Sequence, residues 1–165
     1  MTNRKQMVQV KIIAVGSIKE DYYREAIAEY VKRLSAYCRT EICEIKESKL
    51  PDDPSSGEIA AALSEEAGKI AAQIPPKAYT VALCVEGKQY SSPELAALLG
   101  DNLQTHPSLC FIIGSSFGLD PQIKKAADLR LSFSGLTFPH RLFRVMLMET
   151  VYRSFSIMKG TKYHK

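Results

Sequence analysis

Residues 109–118 read LCFIIGSSFG, an apolar run followed by a loop of small residues. A run of five apolar residues that ends at glycine is typical of a buried strand. Lys11 to Val15 is a similar short apolar run that ends at Gly16, and Val81 to Val85 is a second run of five apolar residues. Weaker alternation at Glu41 to Ile45 and at Leu129 to Phe133 predicts two more strands. The chain is therefore expected to contain five short strands.

Helical patterns separate these strands. An amphipathic stripe follows the first strand, and Ser55 with Glu58 forms a capping box ahead of a second helix. Ser92-Pro93-Glu94 predicts the N-cap and first turn of a third helix, and Asp120-Pro121 opens a short fourth one. The last helix is expected from near Pro139 to Gly160. Strands that alternate with helices predict one α/β domain with a mainly parallel sheet.

The composition argues against several classes of protein. The apolar runs are far shorter than the ~20 residues of a membrane span. The N-terminus is polar and lacks the long apolar segment of a signal peptide, so a cytoplasmic protein is expected. The four cysteines show no C-x-x-C spacing and no nearby pair of histidines, so buried thiols are expected and no metal site is predicted.

Positive charge is concentrated at the C-terminus. The formal net charge is +4, and residues 141–165 contain six of the 22 Lys and Arg residues but only one of the 18 Asp and Glu residues. A basic segment of this kind suits a nucleic-acid backbone. It is also common on proteins that bind no polyanion, so charge alone leaves both interpretations open.

The last helix has almost no polar face between Leu142 and Met158. A helix that is apolar all round has to be covered on more than one side. The cover could come from the rest of the chain or from a second subunit. We favour a homodimer, because a domain of 165 residues has little material to wrap a terminal helix.

Three loops of small or polar residues follow the third, fourth and fifth strands, namely Glu86 to Lys88, Gly114 to Gly118 and Ser134 to Thr137. In an open parallel sheet, ligands bind at the carboxyl ends of the strands. The glycine spacing matches neither the dinucleotide fingerprint nor a P-loop. These loops instead allow backbone groups to approach a flat, polar ligand closely.

The motifs of the C-terminal half are specific. They are Gly114 to Leu119, Leu131 to Ser134, Leu136 to His140, Arg144-Val145, Glu149 with Tyr152-Arg153, and Tyr163 to Lys165. Together they resemble the RlmH family, the ribosomal RNA large subunit methyltransferase H enzymes of the SPOUT superfamily. The likeness spans nearly the whole chain. Members of the family begin just before the first strand, so residues 1–6 look like a polar extension of one SPOUT domain covering residues 1–165.

The resemblance implies a doubly wound α/β fold whose C-terminal segment forms a deep trefoil knot. It also implies a homodimer that uses S-adenosyl-L-methionine as methyl donor. The implied reaction is N3-methylation of a pseudouridine in a stem-loop of large-subunit (23S) rRNA. The sequence leaves open whether the substrate is free rRNA or rRNA within the assembled ribosome.

The resemblance also assigns residues to the cofactor. These are Leu83, Gly114, Phe133, Ser134, Gly135, Leu136, Thr137 and Phe138. The family usually has two adjacent glycines where this chain has Gly114-Ser115. If the second position required a positive φ or a close contact with the cofactor, serine would cost about 1 kcal/mol or more. Alternatively, Ser115 adopts an ordinary conformation with its hydroxyl bonded locally.

Methyl transfer from a sulfonium needs positioning of the two reactants and removal of the N3 proton, but no metal. His164 is a candidate proton acceptor, or a phosphate-contacting or solvated tail residue. Arg144 is a candidate for stabilising an anionic base, or an ordinary helix-surface arginine. Tyr163 is a candidate for stacking on a nucleobase, or for packing on its own subunit. His140 is expected to cap or orient the last helix.

Two rival functions remain open at the level of sequence. One is a noncatalytic ribosome-binding module that keeps the fold without cofactor affinity, and Ser115 is the feature that favours it. The other is a related methyltransferase acting on tRNA ribose. The short chain, which has no added RNA-binding domain, disfavours this second rival.

Overall fold

The computed structural model describes residues 6–165, so most of the expected N-terminal extension lies outside the described residues. Five strands alternate with five helices along the chain. In order they are β1 (Val8–Val15), α1 (Asp21–Leu34), β2 (Cys38–Ile45), α2 (Ser56–Gln73), β3 (Tyr79–Lys88), α3 (Ser92–Asn102), β4 (Ser108–Ile113), α4 (Pro121–Ala126), β5 (Leu129–Leu131) and α5 (His140–Met158). This alternation confirms the predicted α/β class.

The five strands form one parallel sheet in the order β2-β1-β4-β3-β5. Val8 of β1 pairs with Cys38 of β2, and Gln9 pairs with Ser108 of β4 on the other side. Because every pair is parallel, all five carboxyl ends lie at the same edge. That edge therefore carries the loops that the sequence singled out.

Helices cover both faces of the sheet. The alternate side chains of β1 point to opposite layers, with Ile12 on the side of α1, α3 and α5 and Ile13 on the side of α2 and α4. The buried strand β4 has no exposed residue, as expected for a central parallel strand with two covered faces. The fold is thus doubly wound.

Three local boundaries differ from the sequence prediction. The N-cap of α3 is Ser91, whose hydroxyl accepts from the backbone N–H of Glu94 in a capping box, so the predicted cap at Ser92 was wrong by one residue. Strand β5 ends at Leu131, before Phe133. Helix α5 has no side-chain cap, so His140 does not have the expected capping role.

Helix α5 is covered on two sides by its own chain, because α1 and α3 pack against it. None of its residues is exposed, and Met148 is 0% exposed inside the core. One stripe of the helix stays half-buried, and it contains Leu142, Met146 and Ile157. This stripe, not the side that carries Met148, is the surface available to a second subunit.

Within residues 6–165, no helix combines the length and the apolar character that a membrane span needs. Within the same described range, no group of three His, Cys, Asp or Glu side chains could hold a metal ion. The four cysteines are unpaired thiols, and burial raises the pKa of the Cys110 thiol to about 12.

Candidate functional site

A cavity of about 620 Å³ opens at the carboxyl ends of β3, β4 and β5, beside the start of α5. We call it the main cavity. Its lining includes seven of the eight residues that the family resemblance assigned to a cofactor: Leu83, Gly114, Phe133, Ser134, Leu136, Thr137 and Phe138. Gly135 lies between them in sequence and is exposed, but is not part of the lining. The structure therefore gathers these separate motifs around one cavity.

The loop after β4 requires glycine at position 114 for a reason internal to the protein. A Cβ atom at Gly114 would overlap the backbone carbonyl group of Gly118. Gly118 itself has a φ of +86°, a conformation that favours glycine. The two glycines thus let the chain fold back on itself tightly and expose its backbone to the cavity.

Ser115 takes the ordinary conformation that the sequence analysis offered as an alternative. Lys77 is the one non-glycine residue with a positive φ among the described residues 6–165, so Ser115 bears no such strain. Its hydroxyl accepts a hydrogen bond from the backbone N–H of Phe117 at 3.3 Å. Its carbonyl accepts from Gly118 N–H at 2.9 Å. The local bonding of the hydroxyl is confirmed.

Serine hydroxyls shape the segment that follows β5. Ser132 donates from its hydroxyl to the carbonyl of Ser134 at 3.1 Å, and the hydroxyl of Ser134 accepts from Leu136 N–H at 3.0 Å. The backbone N–H of Ser132 donates to the carbonyl of Lys88 at 3.0 Å. These bonds hold the segment against the end of β3, where it forms one wall of the main cavity.

Further residues of the main cavity were not among those assigned to the cofactor, although Glu86 and Phe117 lie in loops that the sequence singled out. Val85 and Phe117 are exposed apolar side chains at its rim, and Glu86 and Lys124 form an ion pair of 2.5 Å in its wall. The Lys124 ammonium lowers the pKa of Glu86, so this carboxylate is ionised at neutral pH. Val85 lies in the predicted strand run, but no signal in the sequence pointed to a pairing between residues that are 38 positions apart.

A second cavity of about 490 Å³ lies beside the first, at the carboxyl ends of β1 and β2. His140 lines both cavities. Burial lowers the pKa of His140, and the positive charges of Arg141 and Arg144 lower it further. The carboxylates of Glu47 and Glu20 act in the opposite direction, but the net shift is downward. His140 is therefore neutral at pH 7, and it stands between the two spaces.

Arg144 lies beneath the second cavity and is 2% exposed. Its Nη1 donates to Glu44 Oε2 at 2.5 Å, and its Nη2 donates to the carbonyl of Gly16 at 3.1 Å. The structure therefore excludes a helix-surface position for this arginine. Arg144 could reach a bound base only if Glu44 released it.

The C-terminal tail packs on the middle of α5. The Tyr163 hydroxyl donates to Glu149 Oε2 at 2.8 Å, and the Arg153 guanidinium binds the other carboxylate oxygen at 2.6 Å. Arg153 Nη1 lies 3.2 Å from His164 Nδ1, and the ring of Tyr163 meets that of Tyr152 edge-on at 4.8 Å. We call these five residues the tail cluster.

Within the tail cluster, hydrogen bonds to Glu149 offset the cost of burying its negative charge. Burial disfavours the charged form of Glu149, but hydrogen bonds from Tyr30, Tyr163 and Arg153 together lower its pKa. The carboxylate is therefore ionised and holds the tail through charge-assisted bonds. Burial, followed by the bond to Glu149, raises the pKa of Tyr163, so its phenol remains protonated at neutral pH.

The tail cluster and the main cavity are separate within one chain. Glu149 follows His140 by nine residues of helix, which is a distance of about 14 Å along the axis. Arg144, Tyr163 and His164 do not line the main cavity, although Arg144 borders its neighbour. The structure thus brings the predicted cofactor residues together but leaves the three predicted catalytic residues outside that group.

Comparisons with known proteins fit this architecture. A family model described as "Predicted SPOUT methyltransferase" matches residues 8–164. The chain is 45% identical over 159 residues to the ribosomal RNA large subunit methyltransferase H of Clostridium kluyveri, across 96% of this chain and 100% of that protein. It is 43% identical to the protein of the same name from Streptococcus thermophilus over the same shares of the two chains.

A solved structure shows the same fold at low sequence identity. A probable methylase family protein from Haemophilus influenzae matches with a TM-score of 0.54 and 10% identity, over 96% of this chain and 70% of that chain. At that identity the likeness concerns the fold alone. The family match and the near-complete relatives are much stronger, and by them this chain belongs to the SPOUT methyltransferases and, among these, to the ribosomal RNA large subunit methyltransferase H family.

Proposed function

We propose that this protein transfers a methyl group from S-adenosyl-L-methionine to N3 of a pseudouridine in a stem-loop of large-subunit (23S) rRNA. The experiment below uses the rRNA both within the ribosome and free. One observation carries the proposal. Seven residues that the family resemblance assigns to the cofactor come from three separate segments, namely strand β3, the loop after β4 and the segment after β5, and line a single cavity. The proteins named ribosomal RNA large subunit methyltransferase H share 43–45% of their residues with this chain over their full length, which supports the choice of substrate.

The main cavity suits S-adenosylmethionine in size and chemistry. Its volume of about 620 Å³ lies within the range of roughly 300–1,000 Å³ that is usual for small-molecule sites. Leu83, Phe133 and Phe138 supply apolar surface for an adenosine, and the backbone around Gly114 is accessible to its polar edges. A bound cofactor of this kind supplies an electrophilic methyl group.

The residues of the chain then have two tasks: to hold the base in line with that methyl group and to deal with the proton on N3. We propose that His164 accepts the proton, with Tyr163 stacking on the base. In this structure both side chains are held by the tail cluster, through Glu149 and Arg153. With its ion pair to Glu44 intact, Arg144 positions the loop at Gly16 through the carbonyl of that residue. If the ion pair opened, the guanidinium would stabilise the anionic form of the base electrostatically.

A homodimer would bring these two regions together. The half-buried stripe of α5 begins at Leu142, beside the main cavity, and reaches the tail cluster at Glu149 and Arg153. Two-fold packing of α5 on its counterpart would set the start of one helix near the far end of the other. The tail of one protomer would then face the cavity of its partner, across a gap that a single chain does not close.

We also propose that the C-terminal segment is knotted, as in the family. The close passage of two backbone segments supports this. Leu83 and Lys88 of β3 both pair with Leu131, so residues between them bulge around β5. A Cβ atom at Gly87 would lie 2.7 Å from the carbonyl carbon of Arg130, so the two segments approach each other closely there.

The rival functions receive less support. The noncatalytic module rested on Ser115, and the ordinary backbone of that residue removes the argument from backbone strain. No observation on the structure favours tRNA ribose as substrate.

The test is methylation of purified ribosomes. We expect the protein to add one methyl group from labelled S-adenosylmethionine to ribosomes from cells that lack this gene, and none to ribosomes in which the target uridine has not been isomerised. Mass spectrometry of rRNA fragments would locate the product. Binding of S-adenosylmethionine without any methylation of rRNA, free or in the ribosome, would contradict the proposed substrate.

A further inference from the structure

The main cavity contains an ion pair that the methyl-transfer proposal does not use. Lys124 of α4 lies 2.5 Å from the Glu86 carboxylate at the end of β3, and both side chains line the cavity. Among the lining residues that the structure describes, they are the one carboxylate and the one ammonium group. The rest of the lining is apolar or uncharged, with His140 neutral.

Stability of the fold does not account for the position of this pair. The Glu86 side chain is 55% exposed and that of Lys124 is 25% exposed, and an ion pair so open to water contributes only about 0–1 kcal/mol. Helix α4 has its own supports, since the Asp120 side chain caps its first turn and Ile123 is buried beneath it. The pair is thus free to exchange partners with a ligand.

We infer that Glu86 and Lys124 form the subsite for the amino-acid end of S-adenosylmethionine. This inference rests on the proposed function. The methionine moiety of that cofactor is a zwitterion, with an ammonium and a carboxylate on the same carbon. Glu86 binds the ammonium and Lys124 binds the carboxylate, so that each charge of the protein pair is replaced by a charge of the ligand. The apolar walls at Leu83, Phe133 and Phe138 are then left for the adenosine.

Three ligands test the assignment by calorimetric titration, each compared between variant and wild type. S-adenosylmethionine carries both charges of the amino-acid end, and its decarboxylated analogue retains the amine and the sulfonium without the carboxylate. 5′-Methylthioadenosine lacks the whole amino-acid portion and the sulfonium charge. Lys124→Ala should weaken binding of S-adenosylmethionine by at least about tenfold, the effect of losing a charge-assisted hydrogen bond. It should change the affinities for the other two ligands by less than about threefold.

Glu86→Gln tests the contact between the Glu86 carboxylate and the ammonium group of the ligand. This variant should weaken both S-adenosylmethionine and its decarboxylated analogue, because both retain the amine, and should leave 5′-methylthioadenosine unchanged. Lys125→Ala is the matched control, since Lys125 is the neighbouring exposed lysine of α4 and lies outside the cavity lining. Circular dichroism melting of each variant shows whether the fold persists.

The outcomes are distinct. If Lys124→Ala and Glu86→Gln lower the affinities for all three ligands equally, or for none, the subsite is wrong while the methyltransferase proposal stands. If the wild-type protein binds no S-adenosylmethionine, the proposed function and the subsite fail together. A loss of affinity that follows the missing charge of each ligand supports the assignment.

Discussion

Near the start of α5 one loop of the main cavity is fixed by close backbone contacts at its glycines, whereas nine residues further along the same helix the tail is held by side-chain hydrogen bonds and aromatic contacts. The cavity loop at Gly114 has no room for a Cβ atom. The tail depends instead on one carboxylate, Glu149, that binds both Tyr163 and Arg153. The two regions should therefore respond to different substitutions, and cofactor binding should be separable from action on RNA.

The largest effect is expected for Gly114→Val. The new side chain would overlap the carbonyl of Gly118, so the loop has to move and the cavity loses its backbone wall. We expect no detectable binding of S-adenosylmethionine in a calorimetric titration, with an unchanged far-UV spectrum. Gly68→Ala is the control, because nothing lies within 4 Å of a Cβ atom at that helical glycine. Normal affinity with Val at position 114 would place the cofactor elsewhere.

Truncation of the chain tests the second region, the C-terminal tail that packs on α5. Removal of Tyr163 to Lys165 takes away residues that contact α5 and do not line the main cavity. We expect S-adenosylmethionine affinity within about threefold of wild type, and methylation of ribosomes lowered by at least ~100-fold, or about 2.7 kcal/mol. A truncated protein with normal activity would exclude Tyr163 and His164 from the site, and loss of cofactor binding would show that the tail closes over the methyl donor.

Single substitutions sharpen the role of the tail. His164→Ala should lower kcat more than it raises KM if the imidazole accepts the proton. Lys165→Ala should mainly weaken RNA binding and reduce its salt dependence, as expected for a phosphate contact. Equal effects of the two substitutions on kcat would argue that the tail acts only by holding the RNA.

The proposed dimer is the link between the two regions, and Met146→Glu tests it. Met146 is half-buried on the stripe of α5, whereas Met148 is 0% exposed in the core and would report on folding instead. A glutamate at position 146 would be buried without a partner in the interface. We expect the mass measured by light scattering to fall by half, with methylation lost. Lys159→Glu, at the exposed end of the helix, should leave the mass unchanged. A wild-type monomer at micromolar concentration would contradict the dimer.

The smallest effect concerns Glu66, a buried carboxyl group of α2. Glu66 is 2% exposed, and within residues 6–165 its Oε2 has no hydrogen-bond partner. Burial raises its pKa, and the Glu47 carboxylate adds to this, while the Ser48 backbone and the Ser115 hydroxyl act in the opposite direction. Because the folded pKa lies above the unfolded value of 4.5, the stability that this group contributes is present below pH 4.5 and is lost as the pH rises through the folded pKa.

Glu66→Gln should therefore stabilise the protein at pH 8 by about 1 kcal/mol, or about 3 °C in Tm, and should have no effect at pH 4. Thermal melting at the two pH values measures the difference. Glu65→Gln is the control, since Glu65 is an exposed neighbour on the same helix. Equal melting temperatures of Glu66→Gln and wild type at pH 8 would show that the carboxylate is compensated in the folded state.

Much of the fold could be predicted from local patterns. The apolar runs at Val81 to Val85 and Leu109 to Ile113 lie inside the observed strands β3 and β4, and the Ser55 to Glu58 capping box starts α2 as predicted. The errors are at boundaries. Two serines precede Pro93, and pairing with the N–H of Glu94 selects Ser91 as the cap of α3. Alternation cannot show that β5 stops at Leu131, because the chain there turns with a bond from Ser132 N–H to the carbonyl of Lys88 and one from the Ser132 hydroxyl to the carbonyl of Ser134.

By itself the sequence determined which segments are strands and helices and which loops share one edge of the sheet, because these follow from periodicity and from the common direction of parallel strands. Only the tertiary structure decided which side chains meet. Arg144 pairs with Glu44 across 100 positions of sequence, Lys124 with Glu86 across 38, and Tyr163 with Glu149 across 14. Such contacts depend on how helices pack on the sheet and on each other, and a short-range pattern contains no record of that packing.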